Sequence, residues 1–207
     1  MRDDQIDPGT NLADLVASRL CHDLVNPLGA IGNGVELLEM TGKGDGPEME
    51  LIRDAVRAAE ARIRLFRLAF GGAGPGQSTS LREAKMVVEG YFHQSRVTPV
   101  WTATGDQSRQ ETKMALLMLL CAEVALPMGG SVSIGPDSAG HWQMEATGPR
   151  LNVDEEVWDL LRFGNPAAGR VLRPSDAHFP MLLQCANAQG LTVNYVTDGE
   201  SLRMSIS

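Results

Sequence analysis

The sequence predicts an α plus α/β chain: an N-terminal helical hairpin that dimerises into a four-helix bundle, followed by a C-terminal α/β domain whose sheet is covered by helices on one face. Three observations predict it. Apolar residues recur at spacings of three and four along two successive stretches parted by a short glycine-rich turn. The segment GGAGPGQSTS, residues 71–80, then breaks the pattern with linker composition. Beyond it, short alternating apolar runs mix with helical ones.

Residues 1–10 are expected to form a disordered leader, with Thr10 or Asn11 placed to cap a helix that runs to about Met40. Along that helix Ala13, Ala17, Leu20, Leu24, Leu28, Ile31, Val35 and Leu38 form one apolar stripe, expected to be buried. At about 100° per residue, His22 falls roughly opposite Leu20, Leu24 and Ile31, on a face shared with Ser18, Arg19, Asn26, Gly29 and Asn33. Pro27 stands inside the pattern and cannot donate to the carbonyl of Asp23, at a cost of about 3 kcal/mol. The stripe nevertheless stays in phase to Leu38, so one kinked helix is expected, bent one turn after His22. By spacing alone His22 is either an ordinary surface histidine or a functional one.

TGKGDGP, residues 41–47, reads as a turn with Pro47 suited to a first helical turn. The second helix carries a heptad seam of Met49, Ile52, Val56, Ala59, Ile63, Phe66 and Phe70. Its other faces bear Glu50, Arg53, Asp54, Arg57, Glu60, Arg64 and Arg67. A two-helix hairpin, residues 11–70, cannot enclose its own apolar stripe. It must pair with a second copy or pack on the C-terminal domain of its own chain. In that domain, residues 81–207, helices are expected over 81–96, 109–126, 154–163 and 176–189, and strands over 97–104, 131–134, 142–147, 191–196 and 202–206.

Composition narrows the function classes. With 43% hydrophobic residues over 207, the chain can bury an ordinary core. A net charge of -8 argues against nucleic acid or an anionic membrane as partner. Cys21, Cys121 and Cys185 lie far apart, and His93, His141 and His178 share no ligand spacing with them or with each other. No metal or cofactor site is therefore expected, and these three histidines are expected to be structural. The first residues lack a signal peptide's apolar core, and the longest apolar run, 115–122, stops at Glu123, too short to span a bilayer. A cytoplasmic location is expected.

The stretch CHDLVNPLGAI, residues 21–31, resembles the phosphoacceptor motif of sensor histidine kinases, a helical His followed by an acid and, five positions on, a Pro. With its flanks, LVASRLCHDLVNPLGAIGNGVELLE, it is similar to the ChpT-type histidine phosphotransferases of bacterial phosphorelays. The resemblance implies a homodimer with a central four-helix bundle and a C-terminal domain shaped like a kinase's ATP-binding domain. It implies His22 as phosphoacceptor and Asp23 as the acid holding the other ring nitrogen. Asn26 would touch the transferring group, while Ser18, Arg19 and Gly29 would form the landing surface for a receiver domain. Arg53, Arg57, Arg64 and Arg67 would draw an acidic receiver, or are simply solvated.

The partners so implied are the receiver domain of a hybrid histidine kinase and CtrA-like and CpdR-like response regulators, with Mg²⁺ held by the receiver. Nucleotide chemistry is not expected of this copy. The kinase helix that bears a metal-holding Asn corresponds to MALLMLLCAEVALPMGG, without Asn; EATGPRL has Ala146 and Arg150 at the Asp and second Gly positions; SDAHFPML, residues 175–182, replaces the phosphate loop without glycine. An active histidine kinase and a non-catalytic dimeric adaptor are the alternative readings.

Overall fold

The computed structural model describes residues 12–42, 46–164 and 172–207; within the first helix the side chains of residues 12–15, 18, 19 and 22 lie outside what is described. The expected leader, residues 1–10, lies outside the described residues as well. Two units are resolved by their internal packing, Met1–Gly74 and Pro75–Ser207.

The first unit is an antiparallel pair of helices. Helix α1, Leu12–Met40, continues through Pro27 as the phase of its apolar residues predicts. Helix α2, Pro47–Phe70, begins with Pro47, whose missing N–H costs nothing in the first turn, and carries Glu48 and Glu50 where the helix dipole favours acids. Arg53 and Glu39 form an ion pair across the hairpin. Farther along, a side chain added at Gly32 would meet Glu60 Oε1 at 3.5 Å and a Val56 methyl at 3.6 Å, so these stretches of the two helices lie side by side.

The expected single buried stripe of α1 divides within one chain. Cys21 and Val35 are buried, whereas Leu20, Leu24, Ile31 and Leu38 remain 58, 50, 51 and 41% exposed. The reason is geometric: one neighbouring helix covers only one side of a 100°-wide stripe. On α2, Ile63 is buried, while Ile52 and Phe66 of the predicted seam are still partly open.

The second unit is a five-stranded sheet with the order β2-β4-β5-β7-β6. Its strands are β2 (Val97–Trp101), β4 (Gly130–Pro136), β5 (Trp142–Thr147), β6 (Val193–Thr197) and β7 (Ser201–Ile206). Only the β2–β4 pair is parallel; β4, β5, β7 and β6 make antiparallel ladders. Burial alternates strictly along β5, with Trp142, Met144 and Ala146 inward and Gln143, Glu145 and Thr147 outward. One face thus carries the core and the other is open, as the alternating pattern predicts.

Helices α3 (Leu81–Phe92), α4 (Arg109–Ala125), α5 (Glu155–Phe163) and α6 (His178–Asn187) cover the inner face. Helix α4 opens on a capping box, Ser108 Oγ accepting from the Glu111 N–H and the Glu111 carboxylate accepting from the Ser108 N–H. From Met114 to Ala122 every residue of α4 is buried, since the helix lies between the sheet and α6.

Several boundaries differ from expectation. The predicted linker ends early: Ser78–Thr79 (β1) pairs with Gln107–Ser108 (β3) in a small second sheet, and Ser80 caps α3. Helix α3 stops at Phe92, where the last turns of the expected helix give way to an entry into β2. Strand β2 stops at Trp101, short of the expected Thr104, and Thr102 closes its end with N–H and hydroxyl both donating to the Ile134 carbonyl. The helix expected from residue 176 is preceded by a 3₁₀ turn, Pro174–Asp176, closed by the Asp176 carboxylate accepting from the Arg173 N–H and guanidinium.

Candidate functional site

The motif CHDLVNPLGAI sits on about three turns in the middle of α1. Around His22 the described residues sort by face. Cys21 is buried, and its thiol pKa is pushed up by burial, opposed by the positive charge of Arg67 from the last turn of α2. Asp23, Asn26 and Pro27 are exposed. Gly29 would meet nothing within 4 Å if it carried a side chain, so the surface there is open to an approaching molecule. Asp23 has interactions of its own in the chain. The side chains of His22, Ser18 and Arg19, three of the predicted site residues, lie outside the described ones. The structure brings Asn26 and Gly29 to one helix face one turn apart, by the spacing that predicts it.

In the second unit, the segments compared above with nucleotide-binding elements have structural roles of their own. Ala146 is fully buried in β5. Gly148 is required by packing: a side chain there would lie 2.5 Å from the Gly129 carbonyl and 2.7 Å from Leu126. Cys121 is wholly buried in α4, its thiol pKa held well up by burial. In SDAHFPML, Asp176 is ion-paired with Arg173 at 3.0 Å, and the guanidinium holds its carboxyl below the usual range.

The same segment places His178 and Phe179 in the core, their rings 4.6 Å apart, with Trp158 against Phe179 at 5.1 Å. Burial lowers the His178 pKa to about 4, and its Nε2 has no hydrogen-bond partner among the described residues. Its structural role agrees with the sequence; its neutrality needed the fold. His141 lies 3.8 Å from Asp137 at the β4–β5 turn, and His93 is exposed beyond α3. On the open sheet face a shallow polar basin is lined by Ser133, Gln143, Asn194, Ser205 and the pair Arg203–Glu145, which satisfy each other at 2.9 Å. No group of three or more His, Cys, Asp or Glu with metal-holding geometry occurs among the described residues. None of the described helices is long and apolar enough to cross a membrane.

A helical hairpin bearing His-Asp-x-x-x-Pro on its first helix, joined to a one-sided mixed sheet, defines the class of two-component histidine proteins. The comparisons place the chain within it. The family model of the histidine phosphotransferase C-terminal domain matches residues 81–201, more than half of the chain. Protein phosphotransferase ChpT of Brucella abortus (strain 2308) is 35% identical over 175 residues, 81% of this chain and 80% of that protein. The chain belongs to the histidine phosphotransferase family.

Among solved structures, a bacterial phosphotransferase determined at 1.7 Å matches with a TM-score of 0.68 and 27% identity, over 96% of this chain and 98% of that one. Full-length ShkA in complex with AMPPNP matches at a TM-score of 0.50 and 14% identity, over 94% of this chain and 45% of that one, a likeness of fold alone.

Proposed function

We propose that the protein is a histidine phosphotransferase that carries a phosphoryl group on His22 between receiver-domain aspartates of a phosphorelay. The observation that carries the reading is the motif CHDLVNPLGAI on a continuous surface helix, with Asn26 exposed and open space at Gly29, in a chain of this family. The donor is the phosphorylated receiver of a hybrid histidine kinase. The recipients are response regulators of the CtrA-like and CpdR-like kinds. The carrier works in the cytoplasm as a homodimer, the exposed stripe of Leu20, Leu24, Ile31 and Leu38 meeting its copy in a four-helix bundle.

Near neutral pH an imidazole offers a lone pair on an unprotonated ring nitrogen. It attacks the phosphorus of the receiver's acyl phosphate; the P–N bond forms, the P–O bond to aspartate breaks, and the carboxylate leaves with the electron pair. The proton on the other ring nitrogen is then free to leave, and Asp23 is the acid placed next in sequence to hold or accept it. The reverse sequence on a second receiver regenerates the imidazole. Such transfers depend mainly on in-line positioning and charge neutralisation. The receiver supplies Mg²⁺, and Asn26, Ser18, Arg19 and Gly29 form the surface on which it lands.

ATP plays no part in this scheme. The α4 surface is closed by the sheet and α6, and SDAHFPML is filled by an Arg173–Asp176 pair and a buried His178, both of which support that reading. Incubation with a ³²P-labelled receiver should move label to the protein as an acid-labile, alkali-stable adduct, lost in His22→Ala, while [γ-³²P]ATP gives none. Transfer that survives in His22→Ala overturns the assignment. Label taken from ATP overturns the carrier reading in favour of a kinase, and absence of any transfer favours an adaptor.

A further inference from the structure

We propose that Arg67, at the C-terminal end of α2, is the cation that binds the phosphoryl group on His22, so that the transfer site is built from both helices of the hairpin. The inference rests on the phosphotransfer reading above and adds a residue to it. Helix α1 is a poor host for a dianion: its sequence holds one basic residue, Arg19, against Asp14, Asp23, Glu36 and Glu39. Phosphoryl transfer nevertheless spreads negative charge over three equatorial oxygens and needs a positive group beside them. That charge must come from the receiver or from α2.

The register of the hairpin brings Arg67 there. The Glu39–Arg53 ion pair and the approach of Gly32 to Val56 and Glu60 fix which parts of the helices lie side by side. Two turns beyond Glu60 is Arg67, and two turns back from Gly32 is Val25, so Arg67 comes level with the stretch around His22, within about one turn. Arg53, Glu60 and Arg67 recur every seventh position, which keeps Arg67 on the α2 face turned to α1.

Independent support comes from Cys21, the residue before His22, whose thiol feels the positive charge of Arg67. Arg67 is exposed although Ile63, one turn earlier on the same side, is buried. A guanidinium engages two phosphoryl oxygens at once, as a lysine ammonium cannot.

The test uses the full chain and two readouts. In single-turnover transfer from a ³²P-labelled receiver, Arg67→Ala should slow the reaction roughly 10- to 100-fold, Arg67→Lys should recover part of the loss, and the surface control Arg82→Ala, on α3 of the second unit, should be unchanged. In protein phosphorylated chemically on His22 with phosphoramidate, the ³¹P titration midpoint of the phosphoryl group should rise in Arg67→Ala, a shift that a merely structural role would not produce. Should the alanine variant lose its helical circular dichroism, Arg67→Gln, which keeps the stem, decides the same question. A wild-type transfer rate and an unmoved ³¹P titration in a folded Arg67 variant overturn the inference while leaving the relay intact. A moved titration in a protein that takes no phosphate from any receiver sustains Arg67 and overturns the relay instead.

Discussion

Replacing Leu24 by Glu should dissociate the proposed dimer. In the single chain Leu20, Leu24, Ile31 and Leu38 of α1 are each about half exposed, and Ile52 and Phe66 of α2 keep 44 and 38% of their surface open. Burying a whole side chain of this kind is worth about 1.5 to 3 kcal/mol, so the uncovered half of each is worth about 1 kcal/mol. Six residues on each of two symmetric partners then yield roughly 12 kcal/mol gross. Against an association cost of about 4 kcal/mol at the low end, a net near 8 kcal/mol corresponds to dissociation in the micromolar range. Leu24→Glu removes two of the twelve contributions and buries two carboxylates without partners, a loss of at least about 3 kcal/mol, or more than 100-fold in affinity.

Sedimentation equilibrium over the micromolar range measures both constants, and circular dichroism confirms that the helices persist. Leu37 supplies the control: it is exposed too, but helical spacing turns it about 100° from Leu38, toward the face of Asn26 and Asn33, so Leu37→Glu should leave dimerisation unchanged. A wild-type chain that stays monomeric at tens of micromolar refutes the reasoning, and so does Leu24→Glu that pairs as well as wild type.

Two further outcomes follow from the second unit. His178 has its pKa lowered to about 4 from 6.5, so the unfolded chain binds a proton that the native state refuses. Stability present above about pH 6.5 is therefore lost as pH falls toward 4, by about 2 to 3 kcal/mol at pH 4.5, and His178→Phe should flatten the difference between urea midpoints at pH 7 and pH 4.5; an undiminished slope in the variant counts against the assignment. Gly148→Ala forces a methyl against the Gly129 carbonyl and Leu126, and thermal unfolding should show a loss of about 1 to 3 kcal/mol, with an unchanged midpoint contradicting the close approach.

Much of this fold is legible in the sequence because local chemistry and tertiary structure agree. The phase of the α1 stripe carries the helix through Pro27, and Ser108 followed three residues later by Glu111 begins α4 where its apolar run implies. Elements that depend on distant partners are not legible. The two-residue strands Ser78–Thr79 and Gln107–Ser108 are too short for periodicity and exist because each pairs with the other. The 3₁₀ turn before α6 depends on one side chain, Asp176, folding back on Arg173. At the site, the motif announces the helix bearing His22, but the contribution of α2 depends on interhelical register, set by Glu39–Arg53 and by Gly32, which periodicity along either helix alone does not contain.

That register sets the surroundings of two small residues of α1 apart. Gly32 and Gly29 are three positions apart and both lack side chains, yet their surroundings are opposite: Gly32 faces Val56 and Glu60 of its own hairpin, whereas Gly29 faces open space. Each glycine in a helix interior costs about 1 kcal/mol relative to alanine. Intramolecular packing demands neither: a side chain at position 32 would make ordinary contact with α2, and one at position 29 would meet nothing within 4 Å. Gly29 lies two turns beyond His22, with Asn26 one turn nearer, and in the proposed scheme an open glycine there lets a partner's backbone come close. In the proposed scheme the face of Asn26 and Gly29 receives a visitor, while the stripe of Leu20, Leu24, Ile31 and Leu38, on the opposite side, meets a copy of the chain itself.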